Sequence, residues 1–105
     1  MPPNQLAFLC LSLFLTVFAI CATDARAESG LASFYPGTGG RGAMTCAHKT
    51  RAMGSMVTVS YRGRTVRCRV TDRGPFIKGR VIDVSTSAAR ALGMMEAGVV
   101  MVSLE

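Results

Sequence analysis

Strict alternation of apolar and polar side chains marks the middle of the chain as a half-buried β-strand. Val66, Cys68 and Val70 occupy one phase of residues 64–71, and arginine and threonine side chains occupy the other. Asp72 follows in the apolar phase, directly before a turn that contains glycine and proline. We therefore expect Asp72 to point toward the core side at the rim of a sheet, where partial desolvation favours general-acid chemistry. Arg73 and Arg80 favour the carboxylate instead, so the sequence does not fix the protonation state of Asp72.

The same kind of pattern predicts the other elements of a small β-rich domain. Four further strands are expected, at residues 29–35, 57–61, 81–84 and 99–104. Arg62 and Gly63 form a hairpin turn, residues 36–42 form a glycine-rich loop, and one short helix is expected at residues 88–92. Its N-cap candidates are Ser85, Thr86 and Ser87, and Gly93 suits its C-terminal end. Short strands with one small helix indicate a compact, all-β barrel.

An almost continuously apolar run at residues 6–21 precedes the domain and ends near Ala25-Arg26-Ala27, a pattern typical of a signal-peptidase site. We predict a signal peptide at residues 1–27 and a mature, exported domain at residues 28–105. An uncleaved anchor is the alternative, but the run is short for a bilayer span, so we expect no stable membrane insertion after cleavage. Ile20 stands before Cys21 where lipoproteins carry a small residue, which disfavours lipid anchoring.

Cys46 and Cys68 are the cysteines of the predicted mature domain. A domain this small has a marginal core, and an exported protein meets conditions in which disulfides persist. We therefore predict a disulfide between Cys46 and Cys68, which would contribute on the order of 3 kcal/mol. Two free core thiols, or half of a metal site with His48, are the alternatives. A zinc site usually needs four ligands in recognisable spacing, so we expect no metal and no cofactor.

The net charge of +6 makes the protein basic. Removal of the predicted signal peptide leaves this charge unchanged, because that segment carries one acid and one base. A small, basic, exported domain suits a polyanionic surface, and export argues against nucleic acid as a partner. An ordinary solubilising surface explains Arg67 and Arg69 about as well, since both lie on the strand face opposite the core.

Four sequence blocks together resemble a known family: DRGPFIKGRVIDVS, with GLASFY upstream, TCAHKT between them and AARALG downstream. They are similar to the bacterial rare lipoprotein A family of endolytic peptidoglycan transglycosylases, over about Ser29 to Glu105. The resemblance implies a small six-stranded double-psi β-barrel with one short helix, a fold shared with expansins. It also implies action on peptidoglycan glycan strands in the periplasm or cell envelope, or outside the cell. We expect the protein to be a monomer.

The resemblance places catalysis at Asp72 and His48, which both match their motifs. Asp72 would protonate the glycosidic oxygen and then accept the proton of the C6 hydroxyl of the muramic sugar. His48 would orient the sugar, hold Asp72 or share the proton transfer, and its alternative role is that of a hydrogen-bonded packing residue. The expected substrate contacts are Ser33, Tyr35, Lys49, Arg73 and Asp83. For Asp83 the alternative is a structural carboxylate that accepts backbone amides near the helix start.

Two functions of different classes compete. The first is an exported lytic transglycosylase that cleaves glycan strands to 1,6-anhydro-muramic ends during cell-wall remodelling, and Asp72 and His48 favour it. The second is a non-catalytic, expansin-like module that binds and loosens wall polysaccharide, and the short, acid-free segment at residues 39–45 favours it. A third hypothesis is a basic accessory domain that binds a protein partner. Two carboxylates with room for water between them would instead give inverting hydrolysis.

Overall fold

A computed structural model describes residues 27–105, so the predicted signal peptide lies, except for Ala27, outside the described residues. This part of the chain forms six strands and one helix. They are β1 (Glu28–Tyr35), β2 (Thr45–Ala47), β3 (Met56–Tyr61), β4 (Arg64–Asp72), β5 (Arg80–Ser85), α1 (Thr86–Leu92) and β6 (Val100–Leu104). The strands close into a barrel in the order β1-β5-β2-β4-β3-β6. The predicted all-β barrel with six strands and one short helix is confirmed.

Strand polarity in the barrel is mixed. β1 pairs with β5, and β2 with β4, in parallel, while the other four pairings are antiparallel. β3 and β4 form the predicted hairpin, and its two turn residues, Arg62 and Gly63, both have positive φ values of 48° and 81°. A two-residue turn of this kind matches the right-handed twist of the strands that it joins.

The sequence pattern did not predict β2. Its three residues, Thr45, Cys46 and Ala47, are all buried, so they show neither alternation nor the length of a typical strand. β2 nevertheless lies at the centre of the barrel wall, between β4 and β5. Cys46 and Cys68 form a disulfide, with their Cα atoms 5.7 Å apart and both residues fully buried. The predicted disulfide is therefore confirmed, and it joins β2 to β4.

The core fills the barrel with buried apolar side chains from every strand and from the helix. Its largest fully buried side chains are Ile82, Leu92, Met94, Leu104, Val57, Val59, Val70 and Val84. Ser85 caps α1, as predicted, by accepting a hydrogen bond from the Ala88 amide, and Gly93 ends the helix in the left-handed conformation at φ 77°. Within residues 27–105, no helix is long and apolar enough to cross a membrane.

Candidate active-site groove

A shift in strand register decides where the two candidate carboxylates lie. Ala47 on β2 stands opposite Asp72 on β4 and opposite Asp83 on β5. The preceding residue, Cys46, stands opposite Val70, so β4 has one residue more than β2 at this point. Such a bulge inverts the alternation of side chains along the strand.

The bulge moves Asp72 out of the phase that the sequence predicts for it. Val70 is buried in the core, whereas Asp72 lies in the row of Ala47 and Asp83 and is half-buried. Asp83 is in turn opposite in phase to its buried neighbour Ile82. The prediction that Asp72 points toward the core side is therefore wrong. The carboxylate instead lies on the outer face of the barrel wall, together with Asp83.

Two hydroxyl groups hold one oxygen of Asp72. The Tyr35 Oη donates a hydrogen bond of 2.5 Å to Oδ2, and the Thr71 Oγ1 donates one of 3.2 Å to the same atom. Thr38, in the loop after β1, donates to the Thr71 hydroxyl at 2.9 Å. Within residues 27–105, no hydrogen bond falls on the Asp72 Oδ1. The carboxyl group is thus fixed through Oδ2, while Oδ1 remains for a ligand.

The phenol of Tyr35 keeps its proton at neutral pH and can donate a hydrogen bond. Burial raises the pKa of its phenol above the usual range, and the hydrogen bond to Asp72 and the negative charge of that carboxylate raise it further. The negative charge of Asp83 also raises the pKa of Tyr35, by a smaller amount. Both carboxylates are therefore close enough to act on this phenol. Tyr35 therefore keeps its proton at neutral pH and donates it in the hydrogen bond to Asp72.

Asp83 belongs to a second hydrogen-bonded group on the same face. Ser33, its partner in the β1–β5 pairing, donates to the Asp83 Oδ1 through its hydroxyl. The Arg80 Nη1 donates to the same hydroxyl at 3.1 Å. The alternative hypothesis for Asp83 was that it accepts backbone amides near the helix start. The Ser85 hydroxyl caps the helix start instead. Asp83 is consequently connected to a half-buried arginine through Ser33.

The His48 ring makes its contacts away from the Asp72 carboxyl group. Its Nε2 lies 2.9 Å from the Glu28 Oε1, and its Nδ1 accepts hydrogen bonds of 3.1 Å from the amides of Thr50 and Arg51. The His48 backbone amide donates to the Asp72 carbonyl at 3.1 Å. His48 and Asp72 are therefore neighbours through the backbone, and a proton transfer by His48 stays a prediction.

The two predicted cationic contacts differ in their surroundings. Lys49 is exposed at the surface of the loop after β2. Arg73 directs its Nη1 to the carbonyl groups of His48, at 3.1 Å, and Arg51, at 2.6 Å. Arg73 therefore ties the end of β4 to that loop, and its contact with a substrate stays a prediction.

An open cavity of about 520 Å³ adjoins this loop rather than the two carboxylates. It is lined by Ala27, Glu28, His48, Thr50, Arg51, Ala52 and Ser55. Asp72 and Asp83 are not among its lining residues; both are half-buried and lie on either side of Ala47. We refer to the surface that carries these two carboxylates as the groove. Within residues 27–105, no three His, Cys, Asp or Glu side chains are grouped to hold a metal ion.

Some contributors to the groove were absent from the sequence prediction. Thr71 donates to Asp72 directly, and Thr38 joins through the Thr71 hydroxyl because the loop after β1 passes close to the end of β4. Arg80, expected from the sequence beside Asp72, joins the site through Ser33, and Glu28 joins through His48. The contacts of Thr38 with Thr71, of Arg80 with Ser33 and of Glu28 with His48 join positions that are distant in the chain, so no sequence signal marks them.

Comparison with known proteins agrees with this geometry. A family model described as lytic transglycolase matches residues 27–104. The probable endolytic peptidoglycan transglycosylase RlpA of Synechocystis is 41% identical over 104 residues, covering 87% of this chain and 32% of the relative. The corresponding Nostoc protein is 46% identical over 91 residues, covering 72% of this chain and 24% of the relative. The chain thus spans about a third or less of the length of these relatives.

Solved structures confirm the double-psi β-barrel fold. The apo expansin of Clavibacter michiganensis superimposes with a TM-score of 0.63 at 27% identity, covering 76% of this chain and 50% of the expansin. A mutant of that expansin in complex with cellohexaose gives a TM-score of 0.64 at 25% identity, with the same coverage. A Streptomyces papain inhibitor shares the fold, with a TM-score of 0.61 at 24% identity over 76% of this chain and 93% of the inhibitor. With the family match and the RlpA relatives, these findings show that the chain belongs to the RlpA-like family of double-psi β-barrel lytic transglycosylases.

Proposed function

We propose that this protein is an exported, monomeric endolytic transglycosylase of peptidoglycan. It cleaves glycan strands between N-acetylmuramic acid and N-acetylglucosamine and leaves 1,6-anhydro-muramic ends. The observation that carries the proposal is Asp72 on the outer face of the barrel, held at Oδ2 by Tyr35 and Thr71. The names of the RlpA relatives support the same reaction.

Asp72 acts as acid and then as base. The protonated carboxyl group gives its proton to the glycosidic oxygen while the bond from that oxygen to the muramic C1 breaks. The resulting carboxylate then takes the proton of the C6 hydroxyl as its oxygen attacks C1, which closes the anhydro ring. Asp72 ends with the proton with which it began, and no water is consumed. The sequence of roles resembles the acid-to-base switch of retaining glycosidases.

Tyr35 and Thr71 stabilise the charge that Asp72 carries between these two steps. Their hydroxyl groups already point at Oδ2, so little reorganisation is needed when the carboxylate forms. In this mechanism the transferred proton leaves from Oδ1, on which no hydrogen bond falls within residues 27–105. Asp83, Ser33 and Arg80 line the neighbouring part of the groove and contact the sugar on one side of the scissile bond.

His48 and Arg73 act on Asp72 through the loop at residues 48–51. The hydrogen bonds of the His48 amide and of the Arg73 guanidinium connect this loop to the end of β4. Loss of the Arg73 side chain, or of the His48 ring whose Nδ1 accepts two amides of this loop, is therefore expected to displace Asp72 rather than to remove a proton carrier. Lys49, on the exposed side of the same loop, contacts acidic groups of the wall polymer.

The direct test is mass spectrometry of peptidoglycan and of peptide-free glycan strands after incubation with the protein. The wild type, Asp72→Asn and the matched surface control Glu96→Gln are compared, with circular dichroism to verify folding. Anhydro-muramic ends from the wild type and the control, but not from Asp72→Asn, support the proposal. Reducing ends would instead indicate hydrolysis, with Asp83 activating a water molecule.

The second candidate is a non-catalytic, expansin-like module that binds wall polysaccharide. The similarity to an expansin solved with cellohexaose favours it. Phe76 favours it too, because this side chain is 77% exposed on the loop after Asp72, where its ring can stack on a sugar face. The test above has a further outcome, in which the folded wild-type protein co-sediments with the wall and still leaves the glycan strands intact. That result would favour this binding module over the enzyme as the function of the protein.

A further inference from the structure

The hydrogen bonds of His48 define one state of its ring. Two backbone amides, from Thr50 and Arg51, donate to Nδ1, so this nitrogen holds a lone pair and no proton. The proton of the neutral ring is therefore on Nε2, which donates to the Glu28 Oε1 at 2.9 Å. The His48 side chain is only 6% exposed, so both ring nitrogens obtain their partners from the protein.

Glu28 connects this buried ring to two other parts of the chain. Its Oε1 also lies 3.3 Å from the Arg51 Nη2, and the Arg51 Nη1 donates to the Glu105 carbonyl at 2.9 Å. The carboxylate at the start of β1 thus holds both the ring of His48 and the guanidinium group of Arg51, three residues later. The turn at residues 48–51 is consequently held at both ends by one side chain.

The same turn is attached to the candidate catalytic residue. The His48 amide donates to the Asp72 carbonyl at 3.1 Å, and the Arg73 Nη1 donates to the carbonyl groups of His48 and Arg51. A movement of the turn would therefore displace the backbone at Asp72 and Arg73. Small displacements of a catalytic group have large kinetic effects, reaching about a hundredfold for a misplacement of 1 Å.

We propose that Glu28 is a positioning residue for Asp72. By accepting the His48 Nε2–H and pairing with Arg51, Glu28 fixes the turn at residues 48–51, and this turn fixes the end of β4. Glu28 itself is 37% exposed and touches no reacting atom in this arrangement. Its role in the reaction rests on the proposed function, whereas its role in holding the turn does not.

The experiment uses protein expressed from the full chain with ¹⁵N-labelled histidine. The sequence has one histidine, so the ring gives a single pair of nitrogen signals. In the wild type we expect a protonated Nε2 and an unprotonated Nδ1. The opposite tautomer would overturn the proposal without the need for any variant.

Two variants and a control test the effect on Asp72. Glu28→Ala removes the acceptor, so we expect faster solvent exchange of the Nε2 proton and altered amide shifts of Asp72 and Arg73. With glycan strands, kcat should fall by about tenfold to a hundredfold, with KM changed less than about threefold. Glu28→Gln retains an acceptor oxygen and should restore the wild-type amide shifts and most of kcat. Glu96→Ala, an exposed carboxylate elsewhere, controls for the lost charge.

The outcomes separate this proposal from the proposed function. Unmoved amide signals of Asp72 and Arg73 in Glu28→Ala would overturn the positioning role, as would an unchanged kcat. Should Glu28→Ala not fold, Glu28→Gln decides, because a large loss of kcat with the acceptor present contradicts the argument. If the wild type cleaves no glycan, the proposed function is refuted. The amide shifts would still test whether Glu28 holds the turn.

Discussion

Reduction of the Cys46–Cys68 disulfide should destabilise the domain by about 3 kcal/mol. The two cysteines are 22 residues apart, and closing a loop of this length removes about 11 cal/mol/K of entropy from the unfolded chain. At 25 °C this corresponds to about 3.4 kcal/mol, which for a domain of about 80 residues lowers Tm by about 20 °C. Reduction leaves both sulfur atoms in their buried positions, so the packing of the core changes little.

The assay is thermal unfolding followed by circular dichroism, with and without reductant. The double variant Cys46→Ala/Cys68→Ala is the control, since reductant should not change its Tm. This variant also creates cavities, because both cysteines are fully buried, so its Tm should lie below that of the reduced wild type. A reduced wild type that melts within about 5 °C of the oxidised form would refute the reasoning.

Three further predictions concern single side chains. Tyr35 has a raised pKa, so its stabilising effect is complete below the unfolded-state value of 10.0 and is lost as the pH rises through the higher folded-state value. In a Tyr61→Phe background, phenolate absorbance should therefore appear at higher pH in the native than in the unfolded protein, and Asp72→Asn should reduce this difference; coincident titrations would contradict it. Gly30→Ala would bring a Cβ atom to 2.3 Å from the Val81 Cγ1, so we expect a loss of about 1–3 kcal/mol in urea unfolding. Val81→Ala in the same chain should recover part of this loss, and its failure to do so would argue against the steric cause. Ser85→Ala removes the helix cap and the bonds of this hydroxyl to the Thr45 amide and the Ala43 carbonyl, which should lower stability by about 1–2 kcal/mol. Ser87→Ala is its matched control, and equal losses in the two variants would contradict the capping role.

The sequence predicted those elements whose two faces differ. Along β4, exposed arginines alternate with buried Cys68 and Val70, and the observed strand differs from the predicted range only at its end. β2 escaped prediction because all three of its residues are buried, so no alternation distinguishes them from a buried loop. The helix caps, Ser85 and Gly93, were predictable because each residue type meets a local backbone requirement.

The site was less predictable than the fold, because its geometry depends on pairing between strands. Local alternation placed Asp72 toward the core, and only the register against β2 shows that it lies beside Asp83. Tyr35 was expected as a sugar contact, whereas its phenol donates to Asp72 from a strand 37 residues earlier. Glu28 gave no signal, since its partner His48 is 20 residues away.

The location of the site follows from the unequal pairing of β2 with its two neighbours. β2 is parallel to β4 and antiparallel to β5, and it is only three residues long. Cys46 directs its side chain into the core and anchors β2 to β4 through the disulfide, so Ala47 must face outward. Ala47 has only a methyl group and is 4% exposed, so the longer side chains of Asp72 and Asp83 on either side extend beyond it. The disulfide that stabilises the barrel thus also anchors the strand that lies between the two carboxylates.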